Sequence, residues 1–163
     1  MRRWGTPLLL AAVVFLLDRV AKLWVVHNLS TKTTLVLSKF LNLTQVRNPG
    51  GAFGMYVGSR SGTVFLVASL VAILVIFQLL KKLPLENTLS RVGLGLVLGG
   101  GIGNLVDRLI YHRVIDFVDL HLGPYHWPAF NLADSAIVVG VVLALWGYWG
   151  REKGEVPEDS QSP

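Results

Sequence analysis

Residues 129–149 read AFNLADSAIVVGVVLALWGYW, with Asn131 and Asp134 at the mouth of a run that is otherwise fit for lipid. Upstream, RVIDFVDLHLG (113–123) carries a second carboxylate, Asp116, after another apolar run. Of the 163 residues, 52% are hydrophobic and 15% charged, whereas soluble domains carry about 25% charged residues. Crossing the hydrocarbon core takes about 20 apolar residues, and four stretches qualify or nearly do: about 6–26, 63–80, 92–110 and 135–149. The last is short unless it borrows from 129–134. The expected fold is therefore mainly α: a four-transmembrane-helix bundle forming one domain over 1–150, with a disordered, polar cytoplasmic tail over 151–163.

The formal charge of +5 raises the question of nucleic acid, but the basic residues form no run with interleaved aromatics. They sit where spans end, as membrane topology requires, and no nucleic-acid partner is expected. With no cysteine, the chain has no disulfide framework and no thiolate nucleophile. The start, MRRWGTPLLLAAVVFLL, imitates a secretory signal. No clear A-x-A site follows, and apolar character resumes at VAKLWVV (20–26), so a retained first span is expected.

Four spans put both termini on one side. Arg2, Arg3, Lys81, Lys82, Arg91, Arg151 and Lys153 fall there, against Lys32, Lys39, Arg47, Arg60 and Arg113 opposite. The bias is modest, but the short loop KKLPLENTLSR (81–91) is strongly basic. The termini and that loop are thus expected in the cytoplasm. The two extracytoplasmic loops then cover about 27–62 and 111–134. The first holds TLVLSKFLNLTQV (34–46), whose alternation and β-branched residues predict one or two strands resting on the bilayer. RNPGG (47–51) predicts a turn after them.

Polar side chains gather in one leaflet. Asp18, Arg19 and Lys22 fall in the outer part of the first span, Asn104, Asp107 and Arg108 at the outer end of the third, and Asn48 in the outer loop. Asp116 follows the third span, and Asn131 and Asp134 open the fourth. Because those spans are consecutive, one exit and one entry share a side, and topology permits Asp116 and Asp134 to meet. Ionisable residues inside a membrane are costly, face a polar interior and often mark function. Plainer roles compete: Asp18 and Lys22 fit an i,i+4 ion pair, Asp107–Arg108 interfacial snorkelling, and Asp134–Ser135 a helix N-cap. Asp119 and the histidines at 27, 112, 121 and 126 are expected in solvated loops. They lack the spacing of a helical metal site, and no metal or cofactor is expected. GLGLVLGGGIG (93–103) is no dinucleotide fingerprint; Gly95, Gly99 and Gly103 instead give the small-xxx-small spacing that lets helices approach closely. That approach would draw Asn104 and Asp107 into the bundle interior.

DRVAK (18–22), RNPGGAFG (47–54), GNLVDR (103–108), VIDF (114–117) and FNLADS (130–135) occur in the order seen in the lipoprotein signal peptidases, the signal peptidase II family. The resemblance spans about residues 6–149. One departure is visible: where that family usually follows asparagine with any residue, glycine and two alanines, Gly51 replaces the first alanine, a loss of one methyl. The resemblance implies an aspartyl endopeptidase of the bacterial plasma membrane; a monomer is expected. It would remove the signal peptide from diacylglyceryl-modified prolipoproteins, cutting before the lipidated cysteine. By motif, Asp116 and Asp134 are the implied catalytic pair, with Asp18, Asn48, Asn104, Asp107, Arg108 and Asn131 in support. It further implies a small extracytoplasmic β-cradle, and an active site facing that side beside membrane lipid. Two other classes remain open on the residues alone: a small channel or transporter scaffold, which would carry polar residues through both leaflets, and a structural membrane subunit, whose carboxylates would tolerate isosteric change.

Overall fold

Four long helices, α1 (Arg2–Asn28), α2 (Ser61–Lys82), α3 (Thr88–Tyr111) and α4 (Leu132–Glu152), are joined to a four-stranded sheet in a computed structural model that describes residues 2–50 and 61–152. Each helix runs one to four residues beyond its predicted span at either end. Of the tail expected to be disordered over 151–163, residues 151 and 152 instead continue α4; the rest of it and the turn residue Gly51 lie outside the described residues. By length and composition, α2, α3 and α4 are fit to cross a membrane. At 27 residues α1 has the length, but Asp18, Arg19 and Lys22 interrupt its second half. The chain is thus a multi-pass membrane protein in which, among the described residues, three helices are fit to span on composition.

Helix α3 is the hub, with α1, α2 and α4 all packed on it. Within the apolar window of each helix, 56% of α3 is buried against 11% of α2 and of α4. The outward residues of those two, such as Leu70, Leu74, Val138 and Val142, are exposed leucines and valines suited to lipid. Small residues let α3 serve three neighbours. A Cβ at Gly95 would stand 2.8 Å from the Pro7 carbonyl oxygen, and one at Gly99 would stand 2.6 Å from that of Ala11. The predicted glycine stripe is therefore the seam with α1, and Asn104 and Asp107 are buried beside it. On another face, Gly93 meets Gly140 and Ala144, and Gly100 meets Ala133. Near the start of α3, Asn87 caps the helix by accepting from the Ser90 N–H (3.1 Å), while its amide donates to the Gly147 carbonyl (3.1 Å).

Helix α3 ends at His112, whose φ of 55° is left-handed and turns the chain at once into a strand. The sheet is antiparallel in the order β1 (Thr34–Val36), β2 (Leu41–Asn48), β3 (Val114–Leu122), β4 (Tyr125–His126). The first two fulfil the expectation for that loop; β3 and β4 are further strands within 111–134, where none was singled out. Ile115 and Phe117 pack with Val25 and Leu29 in a second apolar cluster, fastening the sheet to the end of α1.

Candidate active site

The start of α4 is a reciprocal cap. The Asn131 Oδ1 accepts from the Asp134 N–H (2.9 Å), and the Asp134 Oδ2 accepts from the Asn131 N–H (3.3 Å). This is the logic of a capping box, satisfying two helix-end donors at once. The expected cap role of Asp134 is thereby corrected: Asn131 is the cap, and Asp134 stands in the first turn, where the positive end of the helix favours a carboxylate.

The Asn131 side chain reaches further. Its Nδ2 donates to the Asp116 Oδ1 (2.7 Å) and to the Asn104 Oδ1 (3.2 Å). The Asn104 Nδ2 in turn donates to the Asp134 Oδ1 (2.7 Å). Asp116 and Asp134 are thus tied to each other through one asparagine, as the shared side of two consecutive helices allowed. Asp116 takes a further bond from the Asn48 Nδ2 (3.0 Å), whose Oδ1 accepts from the Gly50 N–H (2.9 Å).

A bulge delivers Asn48. Leu43 pairs with Val118, but Val46 pairs with Asp116, so β2 carries one residue more than β3 between these pairs. Opposed residues share a face and alternate along a strand. Unshifted, the register would set Asp116 against Gln45 and turn Asn48 to the other face; the extra residue restores it to the Asp116 face.

Behind this layer lies a charged one. Lys22 Nζ stands 2.8 Å from Asp18 Oδ2 and 2.8 Å from Asp107 Oδ2, and donates to the Asn104 Oδ1 (3.0 Å). Arg19 also pairs with Asp107. Asp18 accepts from the Ala133 N–H (3.1 Å), and Asp107 from the Ile115 N–H (3.2 Å). Two carboxylates thereby hold the backbone beside Asp134 and beside Asp116. The Asp18–Lys22 pair exists, but within a network rather than alone. Asp107 is fully buried and braces the strand rather than snorkelling. Arg108 donates to the Asn104 carbonyl a turn back (3.1 Å), and its charge reaches Asp134 and Asp116. Lys22 is the residue that sequence reasoning left outside the site. Its i,i+4 spacing to Asp18 was visible, but its contacts with α3 were not.

Asp116 is 2% exposed. Burial pushes its carboxyl up to about 6; the Asn48 bond pulls against this, the Asp134 charge adds to it, and Asn131 and Lys22 pull it back. Asp119, three residues on, faces the opposite side of β3. It pairs with His126 (2.7 Å) and accepts from the Asn42 Nδ2 (3.0 Å). Burial acts upward on Asp119, but these bonds outweigh it and hold the group below the ordinary value. Asp119, His121 and His126 therefore belong to the sheet, not to solvated loops, and the two histidine rings stack at 5.0 Å. Sheet parity keeps Asp119 away from Asp134. Asp119→Asn is expected to retain cleavage activity within about twofold, the equivalent of ~0.5 kcal/mol; a loss as large as that of Asp116→Asn would contradict the parity argument. Among the described residues, no group of three or more His, Asp or Glu is placed to hold a metal ion.

Residues 10–149 match the family model described as signal peptidase (SPase) II. The chain belongs to the signal peptidase II family. Lipoprotein signal peptidases of Burkholderia mallei and Syntrophus aciditrophicus are similar to it, each 42% identical. The first aligns over 147 residues, 89% of this chain and 88% of the relative; the second covers 85% and 88%. Of solved structures, one bacterial membrane enzyme superposes with a TM-score of 0.83 at 28% identity, covering 98% of this chain and 96% of that one. Another superposes at 0.78 with 30% identity, covering 89% and 93%. Membership in signal peptidase II makes the chain a membrane protease.

Proposed function

We propose that this signal peptidase II is an aspartyl endopeptidase of the bacterial plasma membrane. It removes the signal peptide from diacylglyceryl-modified prolipoproteins, cutting before the lipidated cysteine. The observation that carries the reading is the tie of Asp116 and Asp134 through Asn131, in a chain similar to lipoprotein signal peptidases. In the proposed topology α1 is a fourth span, its charged residues neutralised within the bundle. Both termini and the basic loop 81–91 are cytoplasmic, and the sheet end with the site is extracytoplasmic.

Two neighbouring carboxylates, one buried and one half-buried, cannot both ionise cheaply, so they share a proton. Asp116, the more deeply buried, holds it; Asp134, at the helix start, is the ionised base. Asp134 takes a proton from water as the water oxygen attacks the scissile carbonyl carbon, and Asp116 gives its proton to the carbonyl oxygen. On collapse, the carbon–nitrogen bond breaks, Asp134 passes its proton to the departing amine, and Asp116 regains one from the tetrahedral hydroxyl. Asn104 and Asn131 hold the two carboxylates in place.

The pH dependence follows in sign. The active form has Asp116 protonated, so kcat/KM is expected to fall as pH rises through about 6. A bound apolar peptide removes more water and raises Asp116 further, so the corresponding fall in kcat belongs at higher pH. Profiles with coincident limbs, or with no fall above pH 6, would contradict Asp116 as proton carrier.

The decisive assay uses purified enzyme in detergent, offered one precursor with and without the diacylglyceryl group. Cleavage before the modified cysteine, and none of the unmodified precursor, is expected. Folded enzyme that leaves the modified precursor intact would sink the substrate assignment.

A further inference from the structure

Lys22 is 1% exposed, buried together with Asp18 and Asp107 behind the aspartate pair. An ammonium has three N–H donors and no acceptor. Here the ammonium donates a hydrogen bond to the Asn104 Oδ1 (3.0 Å) and forms ion pairs with Asp18 Oδ2 (2.8 Å) and Asp107 Oδ2 (2.8 Å). With Arg19 on Asp107, two cations and two anions form a neutral quartet.

The donor-only character of Lys22 has a directional result. Asn104 must turn its oxygen toward the ammonium, so its NH2 faces the Asp134 Oδ1 (2.7 Å). A flipped amide would set N–H against N–H on one side and oxygen against carboxylate on the other. The Asn131 Nδ2 reinforces this orientation from a neutral donor at a longer 3.2 Å, and charge-assisted bonds are the stronger class. We infer that Lys22 is a positioning residue of the aspartate pair, acting through Asn104 to fix the oxygen of Asp134 that accepts from it. The inference rests on the aspartyl reading and adds to it a polarity: lysine to asparagine to aspartate.

The same charge also reaches Asp116. The other charges around the pair are Arg108 on α3, Asp107 on α3, and Asp18 and Arg19 on α1. Lys22→Met would leave the quartet with one uncompensated negative charge beside Asp116. Lys22→Met combined with Asp18→Asn would remove one charge of each sign and keep the quartet neutral.

The test compares wild type, Lys22→Met and the double variant, with rates normalised to folded protein. Lys22→Met is expected to lower kcat about 100-fold, the cost of a misplaced catalytic group, with KM within about twofold. Its fall in kcat/KM should move about one pH unit upward. The double variant should lose kcat comparably while its pH limb returns toward that of wild type. It also carries the test if Lys22→Met alone fails to fold. A readout independent of turnover is the pH at which the protonated Asp116 carboxyl infrared band disappears, assigned by its absence in Asp116→Asn. Folded variants with wild-type kcat, or with reduced kcat but no infrared or pH shift in Lys22→Met, would overturn the inference. Wild type that fails to cleave would instead refute the peptidase reading.

Discussion

Asp116→Asn and Asp134→Asn are each expected to lower cleavage of a lipidated precursor about 10⁴-fold, in protein that remains folded. The size follows from asking each carboxyl for proton transfer in the transition state, which an amide cannot supply. Folding should survive because the replacement keeps the shape and removes a charge. At 116, an asparagine oxygen still accepts from Asn131 or Asn48, though not from both. At 134, it still accepts from Asn104, but its NH2 cannot accept, so the bond from the Asn131 N–H is lost. One lost hydrogen bond costs about 1–3 kcal/mol, small beside the catalytic loss. The measurement is single-turnover cleavage beside circular dichroism of the same detergent samples. If either variant kept a tenth of wild-type activity, that residue would not be part of the reacting pair.

The second large effect falls on Gly100. A Cβ there would stand 2.4 Å from the Ala133 carbonyl oxygen and 2.9 Å from the Ile137 Cγ1. A side chain can rotate away from such a clash, but a backbone carbonyl cannot, so the first turn of α4 must move. That turn lies between Asn131 and Asp134, and its Ala133 N–H holds Asp18. Gly100→Ala is expected to destabilise the protein by about 2–3 kcal/mol, and to lower the activity of the folded fraction about 100-fold through misplacement of Asp134. Gly101→Ala is the internal control. Its Cβ would meet only the Ile73 Cγ1 at 3.7 Å, and helix propensity favours alanine there by up to about 1 kcal/mol. Equal behaviour of the two variants in thermal unfolding would show that the α3–α4 seam is not as tight as these distances require.

Much of this was legible from the chain, for reasons that differ by residue. The helices follow from long apolar runs, and the α1 seam from glycines four apart. That Asp116 and Asp134 could meet was topology: one helix must leave the membrane on the side where the next enters. The segment NLAD also carried its own local instruction, although the cap was assigned to the aspartate rather than to Asn131. Strand β3 was missed because VIDFVDLHL does not alternate cleanly: both faces of its first half are buried, so polarity loses the period that reveals a strand. Lys22 was legible as a partner of Asp18, but its bonds to Asn104 and Asp107 join residues about 80 positions away. No local pattern encodes such a contact.

The extra residue in β2 makes chain length itself informative. Asn42 and Asn48 are six apart and would share a face in a regular strand, yet they serve opposite faces, Asn42 meeting Asp119 and Asn48 meeting Asp116. The bulge works as a phase shift, letting residues of the same parity address two separate carboxylates. Spacing within this strand therefore counts as much as residue identity. Removing one position between Leu43 and Val46 would keep every named polar side chain, yet turn Asn48 from the aspartate it holds.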